Sequence, residues 1–244
     1  MNHIAHFYFH GSLNDFLRSP RKATWFAYTF TGHQTVKDMI EAIGVPHLEV
    51  WNVRVNGELI TLSHRLQPED KVEVYPYDRR QEGMLQGIGA IKFILDVHLG
   101  TLARSLRMLG FDTLYENHMH DRQIVELAQS EQRIVLTRDV DLLKNKAIPA
   151  GYWLRSQHTR EQLAEVIKRF HLLPHMQPFT RCMVCNGNIR KVSKDAVLDQ
   201  LPPKTKLFYQ EFYQCENCHR VYWKGSHFEH MQKLVRRIAS DQYE

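Results

Sequence analysis

The sequence predicts an α/β protein in which helices cover a parallel sheet, preceded by a small ββαββ module and followed by a cysteine-rich ribbon. Three observations support this order. An aromatic, strand-rich segment comes first, apolar strands then alternate with amphipathic helices, and all four cysteines lie near the C-terminus. Near-continuous apolar strands that alternate with helices are typical of parallel sheets buried on both faces. The predicted division is the ββαββ module at 1–80, a charged, glycine-containing linker at 81–90, the parallel-sheet domain at 91–175, and the cysteine-rich ribbon at 176–244, which ends in a helix.

The first segment has the order of a β-grasp module. Strand-like runs rich in aromatic and β-branched residues flank one amphipathic helix that ends at Gly44, and VNGE is a hairpin turn. The elements are HIAHFYFHG (3–11), TWFAYTF (24–30), TVKDMIEAIG (35–44), WNVRVNGELITL (51–62) and DKVEVYPY (70–77). The pattern resembles ubiquitin-like domains related to small sulfur carriers. Because the chain continues through YDRRQEG instead of ending in a free Gly-Gly, we expect an interaction module with a protein partner.

The middle segment alternates apolar strands with amphipathic helices. Its strands are KFILDVH (92–98), DTLYEN (112–117), RIVLTRD (133–139) and GYWLRS (151–156). Its helices are LGTLARSLRMLG (99–110), HDRQIVELAQSEQ (120–132), DLLKNKA (141–147) and TREQLAEVIKRFHLL (159–173). The spacing of apolar residues in these helices places them on one face, as expected for helices that cover a sheet.

Four aspartates end strands or begin helices of this segment. Asp96 and Asp139 end two strands, Asp121 begins a helix, and Asp141 comes two residues after Asp139. Because ligands of open parallel sheets bind beyond the carboxyl ends of the strands, we expect these acids to converge. Such a cluster is repulsive unless a cation is bound, and carboxylates suit Mg²⁺ or Mn²⁺. Taken singly, Asp121 is more typical of a helix N-cap, and Asp141 is equally a cap for the helix from Leu142.

Two other chemistries of parallel sheets fit less well. A phosphatase that forms an aspartyl-phosphate needs a second aspartate two residues after Asp96, where this chain has His98. A receiver domain needs an acidic pair at its first strand and a lysine after its last, where one acid and Arg155 are found. Metal-dependent hydrolysis of a phosphodiester, in which carboxylates hold the ions, is favoured.

The cysteines form two CxxC pairs, CMVC (182–185) and CENC (215–218), separated by 29 residues. Two such turns place four thiolates around one ion, and thiolates favour zinc over hard cations. A redox dithiol would not be duplicated, so the spacing predicts a structural zinc site made by Cys182, Cys185, Cys215 and Cys218.

The segment around these cysteines is basic. The chain carries 9 Lys/Arg against 10 Asp/Glu in 1–83, 12 against 10 in 84–175, and 11 against 7 in 176–244. Cations and aromatics alternate there, which suits a polyanion whose bases stack on rings. The alternatives to RNA binding are that the cations form an ordinary solvated face and that the aromatic rings form the ribbon's own core. The predicted RNA contacts are Arg190, Lys191, Arg220 and Trp223.

Three stretches of the chain carry a resemblance to a known family: FILDVHLGTLARSLRMLGFDTLY, LTRDVDLL and CMVCNG…CENCHRVYWKGSH. Together they resemble the Mut-seven C-terminal RNase family over residues 91–235. The resemblance implies a PIN-type nuclease sheet followed by a zinc ribbon and often preceded by a ubiquitin-like domain. It further implies that Asp96, Asp121 and Asp139 hold Mg²⁺ or Mn²⁺. Asp141 is then a fourth acid, and Thr137 orients a carboxylate or a water molecule.

The resemblance leaves other residues open. Many PIN enzymes have glutamate at the second acidic position, so Glu116 and Glu126 compete with Asp121. The residues expected to steer phosphate are Arg104, Arg107 and Arg138, although the first two equally form the exposed face of their helix.

The sequence therefore predicts a metal-dependent ribonuclease whose zinc ribbon aids RNA binding. The alternative is an RNA-binding or ribosome-associated adaptor that keeps the PIN fold without catalysis. No apolar run approaches the ~20 residues of a membrane span, and the N-terminus lacks the pattern of a secretory signal. A cytoplasmic protein is expected, either monomer or homodimer, without a membrane partner.

Overall fold

The computed structural model describes residues 2–77 and 90–240, so only residue 90 of the predicted linker is among them. Contacts group the described residues into two compact units, one formed by 2–77 with 128–153 and one by 90–127 with 154–240. The predicted domain boundaries stay predictions. Within these residues, no helix is both long enough and apolar enough to cross a bilayer.

The N-terminal segment is a five-stranded sheet with one α-helix. The strands are β1 (Asn2–Phe9), β2 (Phe26–Thr31), β3 (Val50–Val55), β4 (Glu58–Ile60) and β5 (Lys71–Pro76), and the helix is α1 (Val36–Ile43). Their order in the sheet is β2-β1-β5-β3-β4. Strands β1 and β5 are parallel, whereas the other neighbours are antiparallel. This is the ubiquitin-like β-grasp arrangement that the sequence predicts.

The core of this sheet has the two-residue period of its strands. Ala5, Phe7 and Phe9 of β1 are fully buried, as are Val72 and Val74 of β5, because alternate side chains of a strand point to one face. Helix α1 covers that face with its own apolar stripe. Burial of large side chains such as these is the dominant stabilising contribution to the module.

The second unit begins with a parallel strand pair, β6 (Lys92–Leu95) and β7 (Asp112–Leu114). Its helices are α2 (Gly100–Met108) and α4 (Thr159–Arg169), and α3 (Asp121–Glu131) begins in this unit. Leu102, Leu106 and Leu109 are fully buried, as the helical period of the sequence predicts. Phe93 of β6 packs edge-on against Phe170 after α4, with ring centroids 5.7 Å apart.

The first unit contains a further parallel strand pair, β8 (Ile134–Thr137) and β9 (Ala150–Trp153). Ile134 lies opposite Ala150, and Thr137 lies opposite Trp153. The predicted helix at 141–147 is wrong, because only a 3₁₀ turn, Leu142–Lys144, forms between these strands. The side chain of Asn145 accepts a hydrogen bond from the Ala147 amide at 3.0 Å and so favours a turn over a further helical turn.

The C-terminal region is a small antiparallel ribbon with the strand order β10-β11-β12. Its elements are β10 (Ile189–Val192), α5 (Pro203–Phe208), β11 (Phe212–Cys215), β12 (Val221–Trp223) and α6 (Ser226–Ala239). Val197, Leu201 and Phe212 form its buried apolar cluster. The predicted fold class is confirmed: parallel strands flanked by helices, a ubiquitin-like module before them and a four-cysteine region after them.

Candidate functional site

The turn after β8 holds Asp139 and Asp141 in a hydrogen-bonded arrangement. Thr137, the last residue of the strand, is fully buried, and its Oγ1 accepts a hydrogen bond from the Asp139 amide at 2.8 Å. Asp139 Oδ1 in turn accepts from the Asp141 amide at 2.8 Å. Both aspartates are exposed. The buried hydroxyl thus fixes the backbone that presents an exposed carboxylate.

Asp141 lies at the N-cap position of the 3₁₀ turn, but its side chain makes no capping hydrogen bond. Instead, Lys144 Nζ donates to its Oδ1 at 2.7 Å, in a pair whose aspartate side chain is 84% exposed. An ion pair this exposed contributes little to stability. The role of Asp141 as a fourth acid stays a prediction, and the alternative of a capping side chain is wrong.

Trp153 supports the same turn from the neighbouring strand. Its indole Nε1 donates to the Arg138 carbonyl at 3.1 Å, and its backbone amide donates to Glu49 Oε1 at 2.8 Å. Glu49 belongs to the ubiquitin-like module and is 3% exposed. The Phe16 ring of the same module packs on the Trp153 indole, with ring centroids 4.8 Å apart. The ubiquitin-like module is therefore connected through Trp153 to the backbone next to Asp139.

Sequence reasoning missed Glu49 and Trp153. The one available indication was a carboxylate between two apolar residues, Leu48 and Val50, just before the predicted segment 51–62. A buried acid requires a partner, but the sequence does not say which one.

In the second unit, Asp96 comes directly after β6 and is half-buried. Its carbonyl accepts a hydrogen bond from the Leu99 amide at 3.4 Å, in a turn where His98 has a φ of 73°. The short turn places Asp96 at the carboxyl end of its strand, as predicted. Its assignment to a metal site stays a prediction.

The second acidic position has three competing residues, all exposed. Asp121 is the first residue of α3, where a carboxylate is favoured by the helix dipole. Glu126 accepts a hydrogen bond from Arg122 at 2.9 Å on the same helix. Glu116 precedes the helix. The choice among the three acids stays open, with Asp121 preferred for its place at the helix start.

The four cysteines come together as predicted. Their sulfur atoms all lie within 4.8 Å of one another, with Cys182 Sγ 3.6 Å from Cys218 Sγ and Cys185 Sγ 3.4 Å from Cys215 Sγ. Four thiols this close, drawn from two CxxC turns, match the donor set of a tetrahedral zinc site. The cluster could bind zinc, and four thiolates would fill all four positions of a tetrahedral ion.

Hydrogen bonds prepare these sulfurs for a cation. Burial raises the pKa of the Cys182 thiol, but hydrogen bonds from the Tyr222 hydroxyl, 3.0 Å away, and from the Cys185 and Val184 amides lower it to about 6. Burial raises the pKa of the other three thiols, although backbone amides donate to each of them. Amide donors stabilise thiolates, and at Cys182 the donors outweigh burial, whereas at the other three cysteines burial dominates.

Gly187 allows the two cysteine turns to approach. A Cβ at this position would lie 2.9 Å from Cys215 Sγ and 2.8 Å from Asn217 Cγ. Real Cβ atoms do not approach this closely, so any larger residue would push the turns apart. The space beside the sulfurs therefore depends on glycine.

Arg107 lies at the junction of α2 with the first cysteine turn and is 4% exposed. Its Nε donates to the Thr113 carbonyl at 2.8 Å, and its Nη1 donates to the carbonyls of Val184 (2.8 Å) and Met183 (3.3 Å). Burial lowers the pKa of this guanidinium, opposed by the nearby cysteines. Arg107 holds the cysteine turn, and its expected place on an exposed helix face is wrong. Its predicted contact with phosphate has no support in this geometry.

Asn186 adds to this junction. Its Oδ1 accepts from the Thr113 amide at 2.9 Å, and its Nδ2 donates to Asp112 at 2.8 Å. Asp112 also pairs with Arg181 at 3.6 Å. Strand β7, helix α2 and the cysteine turn are thus joined by polar contacts that local sequence patterns do not predict.

The remaining predicted RNA contacts are at the surface. Arg104 on α2 and Arg138 beside Asp139 are exposed. On the ribbon, Arg190 pairs with Glu216 at 3.9 Å and Lys191 with Glu211 at 3.1 Å. Two further RNA contacts were predicted on the ribbon. Arg220 is exposed, and Trp223 is half-buried against the apolar cluster.

Comparison with known families identifies the family. The model described as the Mut7-C RNAse domain matches residues 91–235, more than half of the chain. The chain belongs to the Mut7-C RNAse domain family. A second model, described as Mut7-C ubiquitin, matches residues 2–82 and coincides with the β-grasp module. The resemblance found in the sequence is therefore confirmed for both parts of this Mut7-C chain.

One curated protein that the Mut7-C chain resembles is named "Exonuclease mut-7 homolog", from Homo sapiens. The two are 36% identical over 113 residues, which is 43% of this chain and 13% of the human protein. The chain thus spans a small part of that relative's length. No solved structure matches the chain. Membership in an RNase-domain family suggests a hydrolase that acts on nucleic acid.

Proposed function

We propose that the chain is a metal-dependent ribonuclease in which Asp96, Asp121 and Asp139 hold Mg²⁺ or Mn²⁺. The observation that carries this proposal is the turn after β8, in which a buried Thr137 and the Asp141 amide fix an exposed Asp139. Such an arrangement, in a member of an RNase-domain family, favours a working site over an ordinary strand end.

The chemistry divides between ion and protein. When bound, Mg²⁺ or Mn²⁺ activates a water molecule and stabilises the leaving oxygen of a phosphodiester. The protein positions the carboxylates in advance: Thr137 holds the Asp139 backbone, and the Asp141 amide donates to the Asp139 carboxylate. Preorganised groups of this kind need little rearrangement during the reaction. The exposed guanidinium of Arg138 attracts the substrate phosphate.

The ribbon contributes structure and RNA affinity in this proposal. Zinc held by the four cysteines fixes the ribbon, whose apolar cluster of Val197, Leu201 and Phe212 is small. A domain this small depends on such a staple. The exposed cations Arg190, Lys191 and Arg220 then neutralise RNA phosphates, and releasing counterions supplies affinity.

Cleavage of single-stranded RNA with Mn²⁺ tests the site. We expect Asp139→Asn to lose at least about 100-fold in rate, as removal of one preorganised charged group does, while binding RNA normally. Asp199→Asn, an exposed aspartate in the ribbon, is the matched control and should cleave like wild type. Equal rates for wild type and Asp139→Asn would contradict the carboxylate site. No cleavage by either would favour the non-catalytic adaptor.

The ubiquitin-like module is proposed to bind a protein partner. Its surface exposes large apolar side chains on neighbouring strands, with Trp51 39% and Leu59 68% exposed. Exposed apolar groups that cluster often mark interaction sites. Replacing Leu59 with Glu should abolish binding of such a partner without affecting RNA cleavage, measured on the same protein.

A further inference from the structure

A cavity of about 1010 Å³ lies beside the ribbon, entirely within the second unit. It is bounded by the segment that precedes the first cysteine, by the ribbon sheet and by the beginning of α6. Its volume is at the upper end of the ~300–1,000 Å³ typical of ligand pockets. Neither the carboxylate site nor the zinc cluster uses this space.

Aromatic rings form much of the cavity wall. Lys191, Tyr213 and Tyr222 are paired across the three ribbon strands, so their side chains lie in one row on one face. Phe179 and Phe228 form another part of the wall, with ring centroids 4.7 Å apart. Flat rings on more than one wall suit flat ligands, such as unpaired bases.

The charge of the wall suits phosphate. The described residues that line the cavity include no aspartate or glutamate. The cations among them are Arg181, Lys191, Arg220, Lys224 and, when protonated, His227. Helix α6 begins at the wall after Gly225, which has no side chain to cap the first amides of the helix. Uncapped amides at a helix start favour anions, an effect that the exposed Glu229 in the first turn of α6 partly offsets.

Acidic residues outside the cavity neutralise part of this charge. Glu211 pairs with Lys191 at 3.1 Å and with Lys224 at 2.7 Å. Asp112 pairs with Arg181 at 3.6 Å. The lysine pair and Glu211 still carry one net positive charge, and Arg220 adds another at the wall.

We propose that this cavity binds unpaired nucleotides of single-stranded RNA, with bases against the Tyr213 ring and phosphates near Arg220 and the start of α6. The proposal rests on the ribonuclease function, since it names the form of RNA that the chain would hold. Rings for bases and cations for phosphates, without acids among the lining residues, favour a nucleic acid over a peptide. A duplex, whose bases are stacked inside the helix, cannot offer its rings to this wall.

The test is binding of a fluorescein-labelled, single-stranded oligoribonucleotide to the full chain in the Asp139→Asn background, measured by anisotropy. Tyr213→Leu should weaken binding about fivefold or more, the lower end for loss of one stacking ring, and Tyr213→Phe should bind like the parent. Arg220→Gln should weaken binding and lower the salt slope by about 0.7, the value for one phosphate of a single strand. Lys233→Gln, an exposed lysine of α6 outside the cavity, is the matched control.

The most specific test is a variant that is expected to bind the oligoribonucleotide more tightly. Glu211→Gln releases Lys191 and Lys224 from their pairs, so binding should tighten and its salt slope should rise. A destabilised variant would not bind more tightly, so this result separates the cavity from a folding effect. Unchanged zinc content and thermal unfolding should accompany each variant.

The outcomes separate this inference from the ribonuclease proposal. If all variants bind alike, or if a blunt duplex competes as well as the single strand, the cavity proposal is overturned even when wild type cleaves RNA. If wild type fails to cleave but binding depends on Tyr213 and Arg220 as described, the cavity proposal stands and the ribonuclease proposal fails.

Discussion

At the scale of single residues, the two cysteine turns differ in the side chain next to their second cysteine. Asn186 comes after Cys185 and His219 after Cys218, and both have left-handed backbone, with φ of 68° and 58°. Such backbone favours glycine. At Asn186 the strain is offset by side-chain hydrogen bonds to the Thr113 amide and Asp112.

Replacing each of these residues with glycine should therefore have opposite effects. His219→Gly relieves backbone strain and should raise the free energy of unfolding by at most about 1 kcal/mol. Asn186→Gly relieves the same strain but leaves the Thr113 amide without its partner, and should lower the free energy of unfolding by about 1–3 kcal/mol. Urea unfolding of zinc-loaded protein measures both. Equal stabilisation by the two changes would show that the Asn186 contacts contribute nothing.

Arg107 and Arg104 lie one turn apart on α2 and should behave differently. Arg107→Met removes a buried guanidinium from three carbonyls and should cost at least about 2 kcal/mol, because hydrogen bonds to charged groups are strong and Thr113, one of the three acceptors, is fully buried. Arg104→Met, at an exposed position, should cost less than about 0.5 kcal/mol. Unfolding curves compare the two, and equal losses would contradict the role of Arg107 at the cysteine turn.

At the scale of elements, the carboxylate of Glu49 adds a hydrogen bond to the contact of the ubiquitin-like module with β9, beside the packing of Phe16 on Trp153. Glu49→Leu leaves the Trp153 amide without its acceptor and should lower the free energy of unfolding by about 1–3 kcal/mol. Glu49→Gln keeps an acceptor oxygen and should cost less. Faster hydrogen exchange at the Trp153 amide in Glu49→Leu than in Glu49→Gln would confirm this. Identical exchange in both would contradict it.

The start of α1 offers a prediction that depends on pH. Thr35 and Asp38 form a capping box, with Thr35 Oγ1 accepting from the Asp38 amide at 3.2 Å and Asp38 accepting from the Thr35 amide at 3.0 Å. Hydrogen bonds from the Thr35 side chain and backbone lower the pKa of Asp38. Its contribution to stability is therefore present above its unfolded pKa and is lost as the pH falls through the lower, folded pKa.

Thr35→Ala should cost about 1 kcal/mol at neutral pH, the usual value for a lost N-cap, and Thr35→Ser should cost little. The cost of Thr35→Ala should shrink in acid, below the usual pKa of aspartate, as Asp38 becomes protonated. Thermal unfolding of wild type and Thr35→Ala, at neutral pH and in acid, measures how this cost changes with pH. A cost that is independent of pH would mean that the Asp38 carboxylate is not part of the cap.

At the scale of the whole molecule, local sequence patterns predicted most helices and strands. They did not predict contacts between segments that are distant in the sequence. The aromatic and β-branched content of β1 predicted a strand, and the helical period of α2 predicted its buried face, because both are local properties of the sequence. The cysteine spacing predicted the quartet, because each CxxC pair forms its own turn. Glu49 bonds a residue 104 positions away, and no local pattern encodes such a partner.

The same reason explains the error at Arg107 and the open question at the acids. Helical period alone allowed an exposed Arg107, but the cysteine turn that covers it lies 76 positions further along the chain. Thr137, Asp139 and Asp141 lie close together in the sequence and are joined by local hydrogen bonds through backbone amides, whereas the predicted role of Thr137 in orienting a carboxylate or a water molecule stays a prediction. Asp96 and Asp121 belong to separate stretches, and their shared metal site stays a prediction.

Removal of zinc should affect the two ends of the chain unequally. Sixteen described residues form the apolar core of the ubiquitin-like module, against three in the ribbon cluster. A mercurial that titrates the four thiols should release one zinc ion per chain, detected with a metallochromic dye. Without zinc the ribbon should unfold, since metal binding supplies folding energy to so small a core.

Limited proteolysis should then cleave the ribbon between Ile189 and Trp223 while residues 2–77 stay intact. Cys215→Ser should show the same pattern without the mercurial, because one lost thiolate weakens the site. Addition of excess zinc should restore protection to wild type after the mercurial is removed with thiol, but not to the variant. A proteolysis pattern that is the same with and without zinc would show that the apolar cluster, not the metal, holds the ribbon.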